Sequence, residues 1–548
     1  MTMDRREIFK ENFERSFTWI EGFMRNVRRY GDHTAIFTPS TGERLSYSRL
    51  NARVNRLANA LLECGLQKGD VVMYLLHNCS EFVLCYVAPQ KIGAINCPIN
   101  YYMSAGEIAL NIDDSRPRVF VYESLMQEKI ESALKLCSWK PEHIVSVGNE
   151  HPVPEGHIGM EKFLKGRSED EPSVGWKLNI YDECTRLYTS GTTSRPKGVP
   201  LYSVNEVLSA HDVIMHFPLA HGDRTMNMTP WFHRGGLHSG GPCPTLYVGG
   251  EVIVMKEFNA GLTLQYTQEY GINFLIGVPA VLSLLCRVQT DAKADLSSLK
   301  GIVTMGAPLD RENCIRFMNT LTPRIFNGYG TTETFWNTFL RPDDLPEHAG
   351  SCGRACTDDD VRVVRIYPDR VADPDDMVAK DGTETGEIII ASPVKSGMHY
   401  FNNDELTDRR FRNGFFYTGD LGTWDKDSYV TLVTRKDDMI VSAGENIYPA
   451  QVESVLLEHP DVAEACVVGL PDKLRDQVTV AYVVPKDDKL TVKELIQFVN
   501  GHQMLAAYKR PRYYRICDRL PHTATGKLQR SVVREQAVID FASGLLHR

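Results

Sequence analysis

Two consecutive strand, helix, strand patterns between residues 71 and 147 restrict this chain to the α/β class. Residues 71–76 form an apolar run with strand character, 81–90 have helical spacing, and 94–98 return to extended apolar residues. The pattern recurs with a strand at 118–122, a helix at 125–137 and a strand at 144–147. Parallel neighbours cannot be joined by a tight turn, so each helix serves as a right-handed crossover that packs back on the sheet. Parallel βαβ sheets covered by helices are expected, extended by strand-like runs at 251–255, 273–276, 301–304, 324–326 and 387–390. Open α/β sheets bind ligands beyond the carboxyl ends of their strands, which directs attention to Gly306, Ala307 and Pro308 and to the segment starting at Gly328.

Beyond about residue 434 the texture changes. Val452, Val455 and Leu456 have helical spacing, Val478, Val480 and Tyr482 alternate as a strand, and Val492, Leu495, Ile496 and Val499 are helical again. The expected architecture is a large N-terminal part of several subdomains, 1–434, and a small α/β domain, 435–548. A length of 548 residues suits roughly three to four domain-sized units. Sixty-one basic against 70 acidic residues, a formal charge of −9 and no long basic block argue against nucleic acid or a polybasic membrane contact. The 13 cysteines are scattered without metal spacing, the first residues lack the apolar core of a secretory signal, and no apolar run reaches the roughly 18–20 residues of a membrane span. A cytoplasmic protein with no membrane span is expected, as a monomer or homodimer.

Residues 188–199 read YTSGTTSRPKGV. Gly191 and Gly198 would let the backbone approach an anion, Ser190, Thr192, Thr193 and Ser194 offer hydroxyl donors, and Lys197 adds a mobile charge, as a polyphosphate cradle requires. The same composition also suits a flexible polar loop. A Walker A loop is excluded, because Lys197 follows Pro196 and precedes Gly198.

Five further strings follow downstream: GYGTTE from Gly328, YTGDL from Tyr417, RKDDMI from Arg435, SAGENIYP from Ser442 and PHTATGKLQR from Pro521. Together with the 188–199 loop they resemble, in order and over nearly the whole chain, the adenylate-forming superfamily of acyl-CoA synthetases, peptide-synthetase adenylation domains and luciferases. Three departures stand out: Ser194 where glycine is usual, Ala443 where the SGGEN-type loop has its first glycine, and Asp476-Gln477 where Gly-Glu is common. The resemblance implies two half-reactions. A carboxylate attacks the α-phosphate of ATP to give an acyl-adenylate and pyrophosphate, and a thiol then displaces AMP. Such phosphoryl transfer asks for in-line positioning and charge neutralisation more than for covalent chemistry.

By the same resemblance Thr189, Ser190, Gly191, Thr192, Thr193 and Lys197 hold the β- and γ-phosphates. After a GYG turn, Thr332 contacts the α-phosphate and Glu333 ligates Mg²⁺. Tyr329, flanked by Gly328, Gly330 and Thr331, stacks on adenine in a pocket lined by Gly306, Ala307 and Pro308. Asp420 accepts the ribose hydroxyls, with Arg435 as a second contact. Lys527 bridges the acyl carboxylate and the α-phosphate. Rotation about a hinge at Asp437 withdraws Lys527 and brings the 442–446 loop, with its Gly444, against the adenylate to shape a tunnel for coenzyme A. Lys436, Lys509 and Arg510 are candidate partners of the CoA phosphates.

The acyl group is expected among Trp231, Phe232 and His233, Val278 with Pro279 and Ala280, Thr304 with Met305, and Phe335 with Trp336. PWFHRGG carries no acid where adenylation domains bind a substrate ammonium, which disfavours an α-amino acid, and His233 would gate the tunnel to the thiol. Met305, at a position that is often glycine, would shorten the pocket. A compact alicyclic or aromatic acid, or a short branched one, is the leading expectation. The alternatives are an enzyme that loads a carrier protein and a medium-chain fatty acyl-CoA synthetase.

Overall fold

The computed structural model describes residues 4–189, 196–367, 370–435, 440–447, 449–487, 489–521, 528 and 530–548. Among them the strands assemble into four sheets. The first has seven strands in the order Ile158–Gly159, His143–Val147, Val119–Glu123, Val71–Leu75, Ile95–Pro98, Glu183–Thr189 and Lys197–Tyr202. All its neighbours are parallel except the last pair. Both βαβ units expected from the sequence lie here, with Ser80–Lys91 and Gln127–Leu136 as helices within the crossovers. Ser80–Lys91 is buried at every position but Glu81, which explains why it shows little amphipathic alternation.

The second sheet has nine strands. Its centre is parallel and carries Arg224–Asn227, Phe274–Gly277, Gly301–Met305 and Ile325–Thr331, while Phe335–Leu340 and then Arg354–Ala355 extend one side antiparallel. The third sheet departs from the expected parallel pattern. Asp360–Val364, Gly386–Ala391, Phe411–Arg412, Phe415–Trp424 and Val430–Arg435 pair antiparallel throughout. Of these only the strand near 387–390 was expected. Phe415–Trp424 is buried at nine of its ten positions and so lacks the two-residue alternation that reveals a half-buried strand.

The fourth sheet lies within residues 440–516: Ile440–Ser442, Glu445–Ile447, Asp476–Pro485, Val462–Asp472 and Tyr513–Ile516. Helices Pro449–Leu457 and Val492–Gly501 pack on it around Val452, Leu456, Val467, Ala481 and Leu495. The chain therefore comprises a large N-terminal α/β domain and a small C-terminal one. Among the described residues no helix is long and apolar enough to cross a membrane.

Candidate active site

The two ends of the 188–199 segment lie on paired strands. Strands Glu183–Thr189 and Lys197–Tyr202 pair with Thr189 opposite Lys197, so both ends of the loop are pinned by the seven-stranded sheet. Thr189 is half-buried, and Lys197 is buried with 9% of its surface exposed. Ser190, Gly191, Thr192 and Thr193 lie outside the described residues, as do Lys436, Asp437 and Lys527. Gly198, expected to admit an anion, has a different role: an added Cβ would stand 3.1 Å from Phe401 Cβ and 3.3 Å from the Tyr188 ring, and its carbonyl accepts from Phe401 N at 2.8 Å.

GYGTTE corrects a second expectation. Gly328, Tyr329, Gly330 and Thr331 are the end of the strand Ile325–Thr331, and the turn falls on Thr332, Glu333 and Thr334. The two glycines are required by what crosses behind them. A Cβ at Gly330 would lie 1.5 Å from Phe335 O, and one at Gly328 would lie 2.8 Å from Trp336 Nε1. Phe335 itself adopts φ +62°, a left-handed conformation that a bulky residue keeps only under the constraint of its surroundings. A register shift at Tyr329 and Gly330 then turns Thr332 and Glu333 outward, half-buried, at the strand end.

Several separate segments meet there. Tyr329 Oη donates to Asp420 Oδ2 at 2.8 Å, and Asp420, 3% exposed on the strand Phe415–Trp424, pairs by backbone with Arg435. Glu333 Oε1 accepts from Tyr400 Oη at 2.5 Å. Met305 pairs with Gly328, so Gly306, at φ +79°, follows the neighbouring strand directly, with Ala307 half-buried and Pro308 exposed beside it. A phenol, a carboxylate, a glycine turn and a potential Mg²⁺ ligand thus line one end of two parallel strands.

The expected acyl residues divide into two groups. Met305, Phe335 and Trp336 share a buried cluster, in which Phe335 and Trp336 stack at 4.9 Å. Trp231 and Phe232 belong to the neighbouring core, Trp231 edge-on to Phe82 at 5.5 Å and Phe232 edge-on to Tyr101 at 5.0 Å. Gly235 joins the groups, since a Cβ there would be 3.3 Å from Met305 Sδ. Val278 caps the helix Pro279–Ala292.

Sequence reasoning missed the buried polar frame behind this wall. Arg234, 3% exposed, donates to Thr332 O at 2.6 Å, Lys395 O at 2.5 Å and Ser209 Oγ at 3.2 Å. Burial lowers its guanidinium pKa to about 10. Next to it Glu206 Oε2 receives His238 Nε2 at 2.7 Å, Tyr86 Oη at 2.8 Å and Cys243 Sγ at 3.2 Å. Burial alone would raise that carboxyl, but His238 and the hydrogen bonds hold it at about 2. Lys395 Nζ reaches Asp212 and Asp359 at 2.9 and 2.8 Å and Trp336 O at 2.6 Å. The partners are 98 residues apart for Arg234 and Thr332 and 67 for Tyr400 and Glu333, separations that no local string encodes.

The small domain closes over Val278 and His233. Strands Ile440–Ser442 and Glu445–Ile447 form a hairpin whose two-residue turn, Ala443 and Gly444, has φ +51° and +82°. Two positive φ values are what a type I′ turn demands. Gly444 faces Val278, to which an added Cβ would approach within 3.4 Å. Glu445 accepts from His233 at 3.1 Å and from Asn100 Nδ2 at 3.2 Å, and His233 remains 41% exposed at the side chain. Alanine is penalised at Ala443 as glycine is not, so Ala443→Gly is expected to stabilise the protein by about 1 kcal/mol, read as a rise in the denaturant midpoint at constant m. An unchanged or lower midpoint would show that the turn bears no strain. Beside the hairpin a cavity of about 380 Å³ is lined by Arg475, Arg510, Arg512, Tyr508, Asn500 and Thr479. Lys509, expected at the CoA phosphates, points elsewhere: it is 1% exposed and ion-paired with Glu107.

Residues 23–400 match the AMP-binding enzyme family, and residues 451–527 match the AMP-binding enzyme C-terminal domain. The long-chain-fatty-acid–CoA ligase FadD13 of Mycobacterium tuberculosis is 31% identical over 504 residues, 92% of this chain and 95% of that protein. The indoleacetate–CoA ligase of Aromatoleum aromaticum is 33% identical over 508 residues, 92% and 94% of the two. A solved structure of a double mutant of o-succinylbenzoate CoA synthetase (MenE) from Bacillus subtilis, bound with its product analogue OSB-NCoA, superposes with a TM-score of 0.81 at 26% identity, covering 94% of this chain and 98% of that one. The same synthetase in complex with the acyl-adenylate intermediate OSB-AMP gives 0.66, also at 26% identity, over 94% and 97%. With both family signatures in order and acid–CoA ligases among its relatives, the chain belongs to the AMP-binding enzyme family, as an AMP-forming acid–thiol ligase that works with ATP, Mg²⁺ and coenzyme A.

Proposed function

We propose that the acid is compact and ring-bearing, aromatic or alicyclic, and that it is activated as an adenylate and passed to CoA by one site in two domain orientations. The observation that carries the substrate reading is the filled wall at the strand ends: Met305, Phe335 and Trp336 pack together beside Gly306 and Gly328, and PWFHRGG offers no acid to receive an ammonium. A similarity to an enzyme named for indoleacetate supports it, while the similarity to a long-chain ligase makes long chains the competing case.

In this reading Thr189, Lys197 and the loop between them take the phosphates, and Asp420 with Tyr329 takes the nucleoside. Glu333, positioned by Tyr400, is the residue that would hold Mg²⁺, which supplies charge neutralisation at the phosphates. Arg475, Arg510 and Arg512 would meet the CoA phosphates, since planar guanidinium groups bind phosphate bidentately. The contacts of Gly444 with Val278 and of Glu445 with His233 correspond to the thioester-forming orientation, and the better match to the product-analogue complex of MenE supports this. Asp437 is the proposed hinge, dividing residues 1–434 from 435–548.

Pyrophosphate release from ATP and Mg²⁺ over a panel of benzoate, indoleacetate, cyclohexanecarboxylate, isobutyrate, octanoate and palmitate, with and without CoA, tests the proposal. CoA-dependent turnover confined to the ring acids is the expected result. Preference for octanoate or palmitate would overturn the substrate reading, and single-turnover release indifferent to CoA would point to a carrier protein as acceptor.

A further inference from the structure

The two domains are joined by a buried ionic contact on the surface between the helix Ala105–Ser115 and the segment before Tyr513–Ile516. Glu107, 6% exposed, completes the N-terminal cap of its own helix by accepting from Ser104 N and Oγ, both at 2.9 Å. Among the described residues, the other hydrogen bonds of its carboxylate come from the small domain, while Lys129 of the large domain is a further cation near it. Lys509 Nζ forms an ion pair with Oε1, Gln451 Nε2 donates to the same oxygen at 3.1 Å, and Ala506 N donates to Oε2 at 3.2 Å. Lys509 Nζ also donates to Gln451 Oε1 at 3.1 Å. One residue earlier Gly106 N donates to Gln503 O at 3.1 Å. A Cβ at Gly106 would stand 2.3 Å from Met504 Sδ and 3.0 Å from Gln503 O, so the backbones approach too closely for any side chain there.

A buried ion pair of this kind roughly breaks even against its separated, hydrated partners, whereas one charge buried without the other is strongly unfavourable. The contact therefore gives little net hold but strict register: the domains either meet with both charges matched or part with both in water. We propose that Glu107, Lys509 and Gly106 form a latch specific to the thioester-forming orientation. They are positioning residues, which register the small domain so that Gly444 lies on Val278 and Glu445 on His233, and which release when Lys527 is delivered for adenylation. The inference rests on the two-orientation reading above and reassigns Lys509 from ligand contact to domain registration.

Lys509→Met and Gly106→Ala test it. Alanine is the better helix former at a position of ordinary φ, so Gly106→Ala leaves the large domain sound and obstructs only the meeting of the two. In the enzyme without substrates, amide hydrogen exchange in peptides covering 100–111 and 500–512 is expected to accelerate at least tenfold in both variants, while the strands Val462–Asp472 and Asp476–Pro485 keep wild-type protection. Thioester formation from the synthetic adenylate of the fastest panel acid is expected to fall at least tenfold with adenylation unchanged, and Lys509→Arg is expected to recover most of it. Wild-type protection in both variants, or faster exchange spread through the small-domain strands, overturns the latch. Lys527→Ala serves as the control: if its defect is selective for adenylation while both latch variants behave as wild type, only the latch falls, and if its defect is equal in both half-reactions the two-orientation reading falls and the latch with it.

Discussion

Replacing Lys527 by alanine is expected to slow acyl-adenylate formation by about 10²–10³-fold, the loss typical of removing one preorganised donor from a developing anion. Thioester formation from a supplied adenylate should be nearly unaffected. The expectation follows from the proposed division of labour: Lys527 belongs to TATGKL in the small domain, whereas the contacts of that domain with the acyl side are made by Gly444 and Glu445. Pyrophosphate release monitors the first step, and thiol consumption with synthetic adenylate monitors the second. A loss shared by both steps would mean that one arrangement of the domains serves both.

The other large effect is expected at Gly330. Alanine there would drive its methyl group to 1.5 Å from Phe335 O, a main-chain atom that no rotamer change can withdraw. We expect destabilisation of about 3 kcal/mol or more in the large domain. Pyrophosphate release should fall more than tenfold, because Thr332 and Glu333 follow directly in the turn that this strand crossing defines. Chemical denaturation checks the first effect and turnover at saturating ATP the second. A variant of normal stability and activity would refute the proposed dependence of the phosphate end on this crossing.

What could be read in the sequence was what is local. The βαβ units were legible because their strands and crossover helices are contiguous runs, and the motif strings because each places its groups within a few residues. The antiparallel sheet from Asp360 to Arg435 was not, since its longest strand is buried nearly throughout and holds Thr, Gly and Asp among its aromatics. Arg234 sat in plain view beside His233, yet its purpose depends on Thr332, Ser209 and Lys395, which only the folded chain assembles. Lys509 shows the opposite failure: it was a candidate partner of the CoA phosphates, and burial against Glu107 gave it another partner. The departures at Ala443 and Asp476 do become intelligible, for both occupy left-handed φ, at +51° and +63°, where glycine would be free of strain.

Val278 touches two things at once. Its methyl groups lie within 3.6 Å of where a Cβ would project from Gly306, and within 3.4 Å of the same point on Gly444. Enlarging or trimming this residue to admit a different acid therefore also moves the seat on which the small domain rests. For anyone redesigning this enzyme, substrate scope and catalytic throughput are not separate dials at that position, and a gain in one is to be sought at Met305 or Trp336 before Val278 is changed.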